Sequence, residues 1–92
     1  MNKQELIAAI ANDSGLTKVE AEKALNSVTS NITAALTKRD KVTLVGFGTF
    51  STSDRAARTG RNPRTGETIN IAATTVPKFK AGKELKSAIK GL

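Results

Sequence analysis

Hydrophobic positions recur at three- and four-residue steps through the first part of the chain and then change to alternation, so the sequence predicts helices followed by strands. Leu6, Ile7 and Ile10 form the first apolar stripe. Its start is marked by Asn2 with Glu5, the spacing of an N-cap and its N3 partner, and its end by Gly15. Thr17 with Glu20 repeats the capping spacing. From there Ala21, Leu25, Val28, Ile32 and Leu36 fall on one side of a helix of roughly twenty residues, with Lys18, Glu22, Lys23 and Asn26 largely elsewhere. Lys38-Arg39-Asp40-Lys41 closes that helix with cations suited to a C-terminus.

Val42-Thr43-Leu44-Val45 then takes the period of a strand, and Gly46-Phe47-Gly48 is a tight connection into Thr49-Phe50-Ser51-Thr52-Ser53, so a β-hairpin is expected. A second pair of β-capable runs flanks Asn62-Pro63-Arg64-Thr65-Gly66, where proline pre-sets φ early in a turn and Gly66 supplies a positive φ late in it. Thr68 to Ala73 is the expected return strand, with Ile69 and Ile71 on one face and Val76-Pro77 as its end. No large apolar side chain lies between Arg55 and Ile69. The outer part of this hairpin has nothing to bury, and it is expected to project as an arm over residues 55–75. Beyond Phe79, Gly82 to Lys90 reads as a short terminal helix anchored by Leu85, Ala88 and Ile89. The expected class is α+β: an N-terminal helical hairpin, a three-stranded antiparallel sheet extending into a long β-ribbon arm, and a short C-terminal helix.

Composition adds two things to this outline. The only aromatics are Phe47, Phe50 and Phe79, too few for a generous core in a 92-residue chain that also extends an arm. An obligate dimer sharing one core between two subunits is therefore expected, its body formed by residues 1–54 and 76–92 within a single domain. Charge points to the partner. The net charge is +7 and the pI about 10.2, and residues 47–92 carry nine Lys/Arg against three Asp/Glu, whereas residues 1–46 carry six against five. A polyanion, nucleic acid above all, is the partner that this imbalance suits.

With no cysteine and no histidine there is neither a thiolate nor an imidazole nucleophile, nor a conventional zinc site, so no catalytic group, metal or cofactor is expected. Asp13, Glu20, Glu22 and Asp54 read as caps and surface charges. The run Leu6 to Ala11 is too short to span a bilayer, and a cytosolic protein with no membrane partner is expected. In the arm, Arg55, Arg58, Arg61 and Arg64 recur every third residue. They alternate faces of an extended strand, with Arg55 and Arg61 on one side and Arg58 and Arg64 on the other, ready for phosphates on both flanks of a groove.

Gly46-Phe47-Gly48-Thr49-Phe50, Arg58-Thr59-Gly60-Arg61-Asn62-Pro63 and Pro77-Lys78-Phe79-Lys80-Ala81-Gly82-Lys83 together resemble the bacterial histone-like HU/IHF family, over the whole chain and nearer its HU branch. The resemblance implies an intertwined dimer, homotypic or with a related chain, whose two β-ribbon arms reach through the minor groove of double-stranded DNA at the nucleoid. It implies backbone and groove contacts for Arg55, Arg58, Arg61 and the tip residues Asn62 and Arg64. Pro63 matches a wedge between base pairs. Lys3, Lys18, Lys80, Lys83 and Lys86 match body positions near flanking phosphates, and Phe47, Phe50 and Phe79 match the dimer's aromatic core. Glu67 departs from the often basic residue after the tip, and Ala56 and Ala57 leave the arm's base lightly charged.

The function so implied is non-sequence-specific DNA binding that bends and compacts the chromosome, best on bent, nicked or flexible duplexes. Other readings of the same residues stay open. Pro63 can simply shape the turn, and Lys83, Lys86 and Lys90 can be a solvated helix face. Site-specific bending of the IHF kind, or the role of an RNA-binding or ribosome-associated module, would suit a basic hairpin too.

Overall fold

The structure, a computed structural model, describes residues 1–92. Its elements are α1 (Lys3–Ser14), α2 (Lys18–Thr37), β1 (Val42–Leu44), β2 (Gly48–Arg55), β3 (Arg58–Arg61), β4 (Thr68–Ile71), β5 (Thr74–Ala81) and α3 (Lys83–Ile89). The architecture is α+β, and the chain resolves into two compact units, Met1–Ala35 and Leu36–Leu92.

In the first unit, both helix starts are built by short side chains accepting from the backbone. Asn2 Oδ1 accepts from Glu5 N at 2.9 Å, and Gly15, at φ 73°, ends α1 by donating to Ala11 O at 3.1 Å. At α2 the capping box is reciprocal: Thr17 Oγ1 accepts from Glu20 N at 3.1 Å while Thr17 N donates to Glu20 Oε1 at 2.9 Å. Chiefly the backbone N–H of Thr17, and then its hydroxyl, hold the Glu20 carboxyl below the ordinary glutamate range. A depressed folded value means that this support is fully present above the ordinary glutamate pKa and is lost as pH falls through the lowered one. Carboxyl titration by NMR is expected to show that low value. In Glu20→Gln the pH dependence should disappear, and Thr17→Ala should cost about 1 kcal/mol in urea unfolding.

Only Ile7, at 3% exposure, and Ala21, at 0%, are buried hydrophobic residues in the whole chain. The polar residues of α2 satisfy themselves locally: Thr29, Asn31 and Thr33 each donate to a carbonyl three or four residues back. Val19 and Val28 on the same helix stay exposed. A long helix that satisfies its polar groups and leaves apolar side chains such as Val19 and Val28 uncovered is a helix with a face still to be packed.

In the second unit β1, β2 and β5 form an antiparallel sheet in the order β1-β2-β5, and β3 pairs with β4 in a separate two-stranded ribbon. The β1–β2 turn holds Gly46 and Phe47, and Phe47 N donates to Leu44 O at 2.9 Å. Gly48 is required for space: a Cβ there would lie 2.5 Å from the Phe79 ring and 2.7 Å from Lys80 O. Gly82 N closes the same corner on Phe47 O at 2.8 Å. The Gly46-Phe47-Gly48 turn and the Phe79 to Gly82 stretch thus lock together. Gly48→Ala is expected to destabilise the protein by about 1–3 kcal/mol in urea unfolding, because ring and backbone must both give way.

Two expectations are corrected here. Val76-Pro77 does not end the return strand: strand β4 stops at Ile71, and Val76 and Pro77 lie inside β5, opposite Ser53 and Thr52. Strand β5 pairs only with β2, so a proline there costs no ladder bond on its free side. Nor is the long hairpin one unbroken ladder. Pairing runs from Gly48↔Ala81 to Arg55↔Thr74, lapses over Ala56, Ala57, Ala72 and Ala73, and resumes in the same register from Arg58↔Ile71 to Arg61↔Thr68. The interruption is symmetric, two residues on each strand, so the register is unchanged across it although no pairing carries the strands through it.

Candidate nucleic-acid interface

Beyond the interruption, the ribbon is closed by a turn that its own polar groups build. Asn62 N donates to Glu67 O at 2.8 Å, Gly66 N donates to Asn62 O at 2.8 Å, and Asn62 Oδ1 accepts from Arg64 N at 2.9 Å. This Asx turn uses the asparagine oxygen to fold the tip, so Asn62 has a structural task whatever else it touches. Gly66 sits at φ 74°, the left-handed region that a glycine enters freely. Pro63 is exposed at the crown between them. Its ring therefore stands where the ribbon first meets anything it approaches.

Cross-strand pairs fix what each face offers. Arg58 pairs with Ile71 and Gly60 with Ile69, which puts one arginine and two isoleucines on the same face, with the isoleucine side chains lying over the space that Gly60 leaves. Thr59 pairs with Asn70 and Arg61 with Thr68, giving the opposite face an arginine among three uncharged polar side chains. The expected four-arginine alternation holds only between Arg58 and Arg61. Arg55 ends β2 on the far side of the interruption and Arg64 lies in the turn, so neither inherits a face from strand periodicity. Thr59, Thr68 and Asn70 were not singled out in the sequence. The only signal for them is the pairing register, which becomes readable once the tip turn is placed.

The electrostatics are one-sided. Arg55, Arg58, Arg61 and Arg64 are exposed, and no carboxylate lies within ion-pair distance of any of them. Glu67 spends its backbone closing the turn, its N donating to Thr65 Oγ1 at 3.3 Å. The chain's ion pair lies elsewhere, at the root of the ribbon. There Arg39 Nη1 reaches both Asp54 oxygens at 2.7 and 2.8 Å, Arg39 Nη2 donates to Thr75 Oγ1 at 3.2 Å, and Thr75 Oγ1 donates to Asp54 Oδ1 at 2.8 Å. The Thr75 hydroxyl first, and Arg39 second, hold the Asp54 carboxyl below the ordinary aspartate range. Arg39 itself has φ 62°, a conformation that costs a side-chain-bearing residue about 1 kcal/mol. Sequence reasoning gave Arg39 only a helix-terminal charge.

The remaining candidates are exposed but dispersed. Lys80 lies on β5 with Lys78 at the same parity, and Phe79 between them points to the opposite face, paired with Phe50. Lys83 opens α3 and Lys86 follows one turn later on the same side. Lys3 and Lys18 are the first residues of α1 and α2, in the other unit. The three phenylalanines cluster: the Phe79 ring centroid is 4.8 Å from Phe50 and 5.5 Å from Phe47. Even so, Phe47 is 46% and Phe79 43% exposed. No helix is long and apolar enough to cross a membrane, and no group of three His, Cys, Asp or Glu side chains is arranged to hold a metal.

An unburied cationic ribbon with a proline crown, on a small body whose aromatic cluster is uncovered, defines a β-arm nucleic-acid binder, and residues 1–90 match the family described as Bacterial DNA-binding protein. The chain belongs to that family. It is 61% identical over 89 residues to the DNA-binding protein HU of Lactococcus lactis subsp. lactis, covering 97% of this chain and 98% of that one. Identity to the DNA-binding protein HU of Geobacillus stearothermophilus is 58% over 90 residues, 98% of this chain and all of that one. Among solved structures, an Anabaena HU–DNA cocrystal structure superposes over the full length of both chains with a TM-score of 0.93 at 44% identity. HU from Thermotoga maritima gives 0.69 at 34% identity, covering 98% of this chain and all of that one.

Proposed function

We propose that the chain is an architectural DNA-binding protein of the HU kind: as a dimer it lays two β-ribbon arms into the minor groove of double-stranded DNA, without sequence preference, and bends and compacts it at the nucleoid. The observation that carries this reading is the ribbon itself, whose arginines have no internal partner and whose crown is an exposed proline. Family membership and the likeness to an HU–DNA cocrystal structure support the choice of DNA.

The two faces of the ribbon have separate tasks in this reading. Arg58 and Arg61, on opposite faces, reach phosphates on either wall of the groove and release counterions, which yields affinity with little base preference. The Ile69 and Ile71 face lies against the sugar edges, where apolar contact favours no particular base. Pro63 enters a base step and partly unstacks it at a cost of a few kcal/mol that wider wrapping offsets, a behaviour for which HU and IHF proteins are themselves the standing examples. Arg55 and Arg64 extend the backbone contacts at the two ends of the arm, with Asn62 holding the tip. Lys3, Lys18, Lys80, Lys83 and Lys86 meet flanking phosphates of the bent duplex.

A gel-shift series over intact, nicked and cruciform DNA at two salt concentrations tests the reading, with structured RNA as competitor. Tightest binding to the nicked and cruciform forms is expected, since less deformation remains to be done. Arg61→Ala is expected to weaken binding to all duplexes alike, by about tenfold, and to flatten the salt slope by about two for the two arms of a dimer. Pro63→Ala should reduce the bend angle, read by fluorescence energy transfer, more than it reduces affinity. An unchanged bend would restrict Pro63 to shaping the turn. Preference for RNA over nicked DNA would replace the reading.

A further inference from the structure

Arg39, Asp54 and Thr75 meet although Arg39 is 15 residues from one partner and 36 from the other. DNA binding by the ribbon makes no use of this cluster, yet its place in the fold is specific. Asp54 and Thr75 are a cross-strand pair, one rung inside the last rung Arg55↔Thr74. Immediately outside that rung the ladder lapses over Ala56, Ala57, Ala72 and Ala73, whose side chains are too short to bridge the strands or to resist bending. A cross-linked rung thus lies one pair inside a bare stretch of the ladder. Arg39 also holds a left-handed backbone conformation that glycine would adopt freely, while its guanidinium engages both strands of the rung.

We propose that Arg39 is a positioning residue for the arm: with Asp54 and Thr75 it forms a clasp that fixes the ladder at the arm's root, one rung inside its last pair, so that the arm swings only about the alanine segment beyond that pair. The inference rests on the reading of residues 55–75 as the DNA-binding arm. Arg39 and Asp54 are 60% and 65% exposed, and an exposed ion pair adds little to global stability. The consequence is therefore local. Losing the clasp should loosen the arm's root and widen the range of arm angles without altering the unfolding transition of the protein.

Two variants test this from opposite sides. Arg39→Gly removes the guanidinium and supplies the residue best suited to the left-handed conformation, so the backbone is not penalised. Asp54→Asn breaks the clasp while keeping the side chain's size. The first lowers the net charge by one and the second raises it by one, so general attraction to DNA shifts in opposite directions while clasp loss shifts in the same direction. In the free full-length protein, hydrogen exchange at residues 53–55 and 74–76 is expected to accelerate about fivefold in both variants, with the amides of α1 and α2 unchanged. On a nicked duplex, the bend distribution read by single-molecule energy transfer should broaden in both. Root exchange that stays native in both variants overturns the clasp, and so does exchange that rises evenly through the chain. Native protein that leaves nicked DNA straight overturns the arm reading instead, and the two failures are told apart because exchange is measured without DNA.

Discussion

Replacing residues 56–73 with an Asn-Gly turn is expected to leave a folded protein that neither bends DNA nor binds it tightly. The rung Arg55↔Thr74 survives in that variant, and a two-residue turn of this type closes an antiparallel pair with the twist that the strands require. Nothing removed is buried: every residue from 56 to 73 is exposed except Gly60, Asn62 and Ile71, which are half-buried within the ribbon. The body should therefore keep its unfolding transition. What disappears is charge with no partner except DNA. Arg58, Arg61 and Arg64 go from each arm, six cations from a dimer, which should flatten the salt dependence of binding by about five and weaken binding about a thousandfold at 0.1 M salt. Both crowning prolines go as well, and with them the unstacking that directs the bend. Titrations at several salt concentrations and energy transfer on a nicked duplex measure the two losses separately. A variant that still gripped and curved DNA like the native protein would shift the whole interface to the lysines of the body.

How much of this was legible beforehand depends on the reach of each interaction. The caps at Asn2 and Thr17, the Gly15 stop and the tip turn from Asn62 to Gly66 join residues at most five apart, and the sequence displays them directly. The Gly46-Phe47-Gly48 connection was equally plain, although its packing against Phe79 and Gly82 needs the sheet. Local signals misled where pairing decides. A proline ends many strands, but Pro77 sits in an edge strand whose other side carries the ladder. The arginine spacing implied a four-residue alternation that the lapse at Ala56-Ala57 and the turn at Arg64 interrupt. The Arg39 clasp was not legible at all, because nothing in three separated polar residues announces that they converge. The faces of the ribbon lie between these extremes: with the turn known, Arg58 with Ile69 and Ile71, and Arg61 with Thr59, Thr68 and Asn70, follow by counting.

Phe79→Ala is expected to abolish the folded state at micromolar protein, and the reason lies in what a single chain fails to bury. Two small hydrophobic contributions, Ile7 and Ala21, are the whole buried apolar set of the monomer, far short of what offsets the conformational entropy of a 92-residue chain. Leu44, Val45, Phe47 and Phe79 in one unit, and Leu6, Val19 and Val28 in the other, remain substantially exposed, with Val45 at 97%. A second copy of the chain covers them in the dimer that we propose, and Phe79 lies at the centre of the aromatic cluster, against Phe47, Phe50 and the bare Gly48 backbone. Emptying a buried phenylalanine site costs about 3–5 kcal/mol, and a dimer has the site twice, so the loss is comparable with the entire stability of a small domain. The native protein should accordingly show a melting temperature that rises with concentration, as it must when folding and association are one step. Circular dichroism melts at several concentrations, with sedimentation of the variant, measure both effects. A Phe79→Ala chain that sedimented as a folded monomer and melted at the native temperature would mean that the exposed faces are tolerated surface, and that each chain carries its arm alone.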